Sequence, residues 1–172
     1  MNTFTILITI AAVLLIAYTA SMCIVNRQIP HSLSASVFFL PRKGAWLWTA
    51  VIAAVVFALA PVLIGTAQRA QFLAFFACAG LLFVAGCPLV KDKSDMAYRV
   101  HLVAAVVCAF SAMALVACNR PLLLLLWLPW VGVFIWKTKG VSTWPTQTFW
   151  AEMMCFAITF IYAYLIDRKS VV

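Results

Sequence analysis

Acidic residues are nearly missing from this sequence: four Asp and Glu stand in 172 residues, and all charged residues together make up 9%. A soluble domain carries about 25% charged and about 45–50% apolar residues, whereas apolar residues reach 67% here. That much apolar surface cannot be hidden inside a globule of this length. A water-soluble fold is therefore excluded, and lipid is the solvent for most of the chain. Disorder is excluded by the same scarcity, because it needs low hydrophobicity and high charge. No polar stretch is long enough for a separate soluble domain, so residues 1–172 read as one integral membrane domain.

Motifs are as scarce as charges. The chain has no CxxC pair, no HxxxH or HExxH pair and no GxSxG elbow, and it lacks a Walker loop, a dinucleotide fingerprint and a haem motif. Each of the six cysteines, Cys23, Cys78, Cys87, Cys108, Cys118 and Cys155, falls within an apolar run. They read as small residues packing between helices, not as a disulfide framework. The twelve Lys and Arg give a net charge of +8. In a soluble protein that excess would point to nucleic acid. Here the basic residues lie in short loops beside apolar runs, where they act as topology signals and headgroup contacts, so the expected partner is the bilayer and not nucleic acid.

What the sequence does have is long apolar runs. Six can be marked, at about 3–25, 45–66, 70–90, 100–118, 122–136 and 149–166. Their continuous apolarity excludes the ten-residue alternations of a membrane β-barrel. The expected fold is all-α, a polytopic transmembrane helix bundle of about six spans. The first run is too long for a signal peptide and lacks a positive n-region, so it is expected to be a retained helix. Pro61 predicts a kink in the second run. Only Ala67, Gln68 and Arg69 join the second to the third, which makes an antiparallel hairpin. The fifth run is the shortest and contains Pro129, which predicts a kinked or partial crossing. Between the first two runs lies the insert Ile29 to Pro41, too apolar for an ordinary loop and too short to span. It reads as an interfacial or re-entrant segment.

Six spans put both termini on one side. The loops after the first, third and fifth runs then hold Arg27, Arg42, Lys43, Lys91, Lys93, Arg99, Lys137 and Lys139, and the opposite side holds Arg69, Arg120, Arg168 and Lys169. The positive-inside rule places the first set in the cytoplasm and both termini outside, in the inner (plasma) membrane. Trp46, Trp48, Trp136, Trp144 and Trp150 flank the same loops, as interfacial tryptophans do.

This topology gathers the chemistry at one mouth of the bundle: His31, Ser32, Ser34 and Ser36 in the insert, Asp92, Asp95 and His101 around the start of the fourth helix, and Glu152 a turn into the sixth. A carboxylate at depth costs a few kcal/mol unless it pairs or lines a polar cavity. Glu152 is thus either a functional acid or the partner of Lys137, Lys139 or Arg99. Asp95, following Ser94, reads most simply as a helix cap; His101 is a candidate ligand or proton shuttle. Candidate catalytic residues are His101, Glu152, Asp95 and Ser34. A divalent metal such as zinc would draw on His31, His101 and Glu152.

The Pro30-His31-Ser32-Leu33-Ser34 insert after the first helix, with Asp95 and His101 opening a later one, resembles small six-helix inner-membrane proteins of bacteria that share a Pro-x-Ser-x-Ser insert and a His-led helix. More remotely it is similar to the alkaline ceramidase-like membrane hydrolase superfamily. That resemblance implies a seven-helix fold in which a serine, an aspartate and three histidines act around zinc. It carries over here to Ser32 or Ser34, Asp95 and His101. Three functional readings stay open: a protein that binds a lipid, small solute or membrane partner at the cytoplasmic mouth; a membrane-embedded, metal-dependent hydrolase of a lipid-like substrate; and a small transporter with Glu152 as its proton-coupling acid. Oligomeric state is left open.

Overall fold

The computed structural model describes residues 3–41, 44–67, 69–87, 94–138 and 144–169. They form α1 (Thr3–Asn26), α2 (Trp46–Thr66), α3 (Gln71–Gly86), α4 (Met96–Asn119), α5 (Trp127–Thr138) and α6 (Gln147–Lys169), with 3-10 stretches at Ser34–Phe39 and Pro121–Leu126. No strand occurs among the described residues. Four helices are long and apolar enough to cross a membrane: Thr3–Asn26, Trp46–Gly65, Met96–Asn119 and Gln147–Asp167. The helices over Gln71–Gly86 and Pro121–Lys137 are apolar but shorter.

The outer surface of the bundle is apolar, which is consistent with a membrane-embedded protein. Phe72, Phe75, Phe76 and Phe83 of α3 and Leu102, Val103, Val106 and Phe110 of α4 are exposed, as are Ile10, Val13 and Ile16 of α1. A soluble monomer would not expose so continuous an apolar surface. The interior, by contrast, is rich in small residues. Ala11, Ala74, Ala77, Ala104 and Ala112 are buried. Without a hydrophobic drive between helices in lipid, small residues allow the close backbone approach that van der Waals packing needs. The tightest case is α3 on α4, where a Cβ at Gly80 would lie 2.9 Å from the Ala104 carbonyl oxygen and 2.9 Å from the Cys108 nitrogen.

Local chemistry explains where helix ends depart from the apolar runs. α4 begins at Met96, four residues before the apolar run, because Asp95 accepts a 2.8 Å hydrogen bond from Ala97 N as an N-cap. We expect Asp95→Ala to cost about 1 kcal/mol, read as a lowered thermal midpoint with no change of oligomeric form. The fifth segment is not a uniform helix. Pro129 has no N–H to give the carbonyl four residues back, so an α-helix running through it would lose a hydrogen bond, as α2 does at Pro61. The chain instead takes a 3-10 course from Pro121 to Leu126 and starts α5 at Trp127, which places Pro129 in the first turn, where that N–H has no intrahelical partner. Pro61 sits inside α2, which is continuous from Trp46 to Thr66. The third helix ends at Gly86, short of the expected residue 90.

Contacts between turns sort the bundle into two ends. At one, Thr49 Oγ1 donates to Ala85 O (2.8 Å), linking the start of α2 to the end of α3. At the same end His101 Nδ1 lies 2.7 Å from Cys87 O, and Phe149 N donates to His31 O (3.0 Å). At the other end Asn119 ties the α2–α3 turn to α4, accepting from Arg69 N (3.1 Å) and donating to Arg69 O (3.0 Å). There too, Thr5 Oγ1 donates to Asp167 Oδ2 at 2.5 Å, joining the first turn of α1 to the end of α6.

Candidate functional site

The Ile29–Pro41 insert is packed into the first of these ends. Leu33, Ser34, Ser36 and Val37 are buried, while His31 and Phe38 remain exposed. The first turn of α6 has orphan N–H groups, and the insert supplies an acceptor: Phe149 N bonds to the His31 carbonyl. In return, the insert's own backbone donors find the Glu152 carboxylate, which accepts from Leu33 N and Ser34 N. Carboxylates that accept from backbone N–H groups make stronger hydrogen bonds than neutral acceptors do. His31 Nδ1, 2.9 Å from Pro145 O, adds a third tie between the insert and the segment leading into α6. On the opposite flank Ser36 Oγ and the Tyr18 hydroxyl are 2.8 Å apart, and the Tyr18 ring packs 5.8 Å from that of Trp48. Ser32 serves the insert itself, accepting from Ala35 N at 3.0 Å.

Beneath this cap lies a cavity of about 200 Å3 between α2, α3, α4 and α6. Its walls are apolar, with Ile52, Val56, Leu59 and Leu63 from α2, Ala77, Leu81 and Val84 from α3, Ala105, Ala109 and Ala112 from α4, and Phe156 from α6. The polar groups are few. Ser34, Thr148, Glu152 and Trp48 belong to the capped end, and Thr159 lies about two turns further along α6. Three thiols from three helices, Cys78, Cys108 and Cys155, complete the lining, and all six cysteines are free.

Of the candidates that the sequence singles out, the cavity takes Ser34 and Glu152. His31, His101 and Asp95 share its end of the bundle but do not line it. His101 is buried with Nδ1 on the Cys87 carbonyl, so it fastens the start of α4 to the end of α3. Asp95 is occupied as the cap of its own helix. Glu152 is held by backbone donors. Arg99 donates to Ser94 O (3.3 Å) and Lys137 lies 5.4 Å from the Trp136 ring centre, so neither is its partner here. Lys139 and Asp92 lie outside the described residues. Among the described residues no group of three or more His, Cys, Asp or Glu could hold a metal ion, which leaves the zinc set His31, His101 and Glu152 unassembled.

Trp48 and the three thiols are what residue-by-residue reading overlooks. The thiols look like packing in their own apolar runs and Trp48 like an interfacial tryptophan beside a loop, yet Trp48 is buried and all four line one cavity between four helices. The spacing of Ala105, Cys108, Ala109 and Ala112, an i, i+3, i+4, i+7 stripe of small residues on α4, is the signal that was there to be read.

Comparison with protein-family models, with curated proteins and with solved structures finds no match to the chain.

Proposed function

We propose that the protein is a six-pass protein of the inner membrane that binds a small, largely apolar molecule in the cavity beneath its Glu152-anchored cap. One observation carries this: apolar walls from four helices, closed at one end by a small set of polar groups, which is the usual make-up of a ligand site. An engineered apolar cavity of about 150 Å3 binds benzene, so the volume is enough for a small apolar guest.

Binding is favoured over hydrolysis because neither imidazole lines the cavity, so Ser34 has no histidine base beside it. The six-span count is supported by lengths. The 3-10 course over Pro121–Leu126 rises roughly 2 Å per residue, so the segment through Lys137 extends roughly 28 Å against a hydrocarbon core of about 30 Å. α3 reaches roughly 24 Å, a mismatch that a bilayer absorbs by modest local thinning. The excess of Lys and Arg in the odd loops supports a cytoplasmic placement for the capped end.

The test is photolabelling of the protein, reconstituted in phosphatidylcholine nanodiscs, with an octyl diazirine. The expected result is a saturable component that excess octane removes and that Ala109→Phe, which fills the α4 wall, abolishes. Labelling that rises linearly and ignores both octane and Ala109→Phe would defeat the proposal.

A further inference from the structure

Resting on the binding reading above, we propose that the guest is a segment of one acyl chain of a bilayer phospholipid. The chain enters the cavity sideways, through a mouth between α4 and α6, while its head group stays at the membrane interface. Burial marks the mouth. The α2 residues that line the cavity, Ile52, Val56, Leu59 and Leu63, are at most 3% exposed. The lining of α4 and α6 is different: Ala105, Cys108 and Ala109 on one helix and Ala151, Cys155 and Phe156 on the other are only partly buried. Further along, the same two helices close, with Ala112 and Leu115 of α4 and Ile158, Thr159 and Tyr162 of α6 buried. α4 and α6 therefore part toward the capped end, and the cavity opens sideways where they do.

The other flanks are shut. Thr49 Oγ1 joins α2 to α3 by its hydrogen bond to Ala85 O. α3 meets α4 at Gly80, where a Cβ would already touch the α4 backbone. α1 packs on both α2 and α6, and the insert closes the end, held by Glu152. α5 reaches the remaining side through Trp127, whose Nε1 donates to Met113 Sδ of α4 (3.4 Å). It does not seal that side, because it contributes no residue to the cavity lining and none of its described residues is buried.

Size and depth decide the occupant. A helix is about 10–12 Å across, too thick for a space of about 200 Å3. Scaled from the roughly 150 Å3 that holds benzene, that space takes about eight chain carbons. The α6 lining runs from Thr148 to Thr159, roughly 16 Å along the axis, or about half of the hydrocarbon core. The cavity thus lies within one leaflet, at the depth of the acyl chains beside it and parallel to them. Val106 and Phe110 of α4 and Ile161 of α6 are exposed on the outer faces, and none of the described lining residues is Lys, Arg or His. A chain moving from lipid into the cavity meets no cation on the way.

The experiment places the protein in phosphatidylcholine nanodiscs with a trace of phosphatidylcholine that carries a diazirine at the middle of one acyl chain, and maps the adducts by peptide mass spectrometry. Adducts should form on Ile52, Val56 or Leu59, which line the cavity and are closed to the outside, as well as on the outward Phe72 and Phe75. Excess octane, a stand-in for the bound segment, should remove the α2 adducts and spare the outward ones. Ala151→Phe should plug the mouth from α6 and abolish the α2 adducts, and Ala105→Phe should do so from α4 if the first variant fails to fold. Val103→Phe, on the outward face of α4, should leave the pattern unchanged. An α2 free of phospholipid adducts, while octyl diazirine still labels the cavity saturably, would overturn the acyl-chain assignment and leave the binding reading standing. Adducts on α2 that survive both plugs would overturn the route between α4 and α6. Octyl-diazirine labelling with no saturable component would overturn the binding reading itself.

Discussion

Gly80→Leu is expected to abolish the folded bundle, and Gly80→Ala to destabilise it by about 2 kcal/mol, within the usual range for overpacking. The added methyl would meet the α4 backbone: Ala104 O and Cys108 N at 2.9 Å and Cys108 Cα at 3.1 Å. Backbone cannot rotate away as a side chain can, so α3 and α4 must move apart. Helix propensity pulls the other way, since alanine improves on glycine by about 1 kcal/mol. Gly132 in α5 isolates that term: a Cβ there meets nothing within 4 Å, so Gly132→Ala should be neutral or stabilising by up to about 1 kcal/mol. Denaturation of the three variants in one detergent gives the comparison. A Gly80→Ala protein as stable as Gly132→Ala would refute the close approach. Because Ala77 and Leu81 flank Gly80 and line the cavity, as do Ala105 and Cys108 opposite, the same spreading should weaken octyl-diazirine labelling of Gly80→Ala.

Glu152→Ala should release the cap. It leaves the Leu33 and Ser34 N–H groups without their acceptor, at about 1–3 kcal/mol for each buried group left unsatisfied. A net loss of about 3 kcal/mol lowers the melting temperature of a chain this size by about 6–12 °C. Glu152→Gln keeps an acceptor oxygen and should lose less than half as much. Hydrogen exchange locates the effect: amides of residues 33–40 and Phe149, which bonds to His31 O, should exchange faster in Glu152→Ala while α3 is unchanged. Unaltered exchange across the insert would show that Glu152 does not anchor it.

The bundle was legible in the sequence because apolarity is continuous along each run, and continuity survives errors in helix ends. The runs at 3–25 and 45–66 nearly match α1 and α2. Ends set by local chemistry were harder to place: α4 starts at Met96, behind the Asp95 side-chain cap, and the fifth segment is divided, with Pro129 in the first turn of α5. The gathering of polar residues at one mouth followed from alternating topology alone, and His31, Ser34, Asp95, His101 and Glu152 do share that end. What each does there could not be read from residue type. Glu152 stood out as an acid among apolar neighbours, yet its partners are backbone amides, which carry no sequence signature. His101 is committed to a main-chain carbonyl for the same reason. The cavity was hidden because a wall of Ala, Cys and Leu is indistinguishable, residue by residue, from a packed interface.

The most direct test of the account is to map where octyl-diazirine adducts form, by peptide mass spectrometry of wild-type protein in nanodiscs. The account predicts saturable adducts on cavity residues, chiefly around Cys108–Ala112 and Cys155–Thr159, that excess octan-1-ol removes, beside non-saturable adducts on the outward Phe72, Phe75 and Phe83. Adducts confined to those outward phenylalanines and the rest of the lipid-facing surface would contradict it.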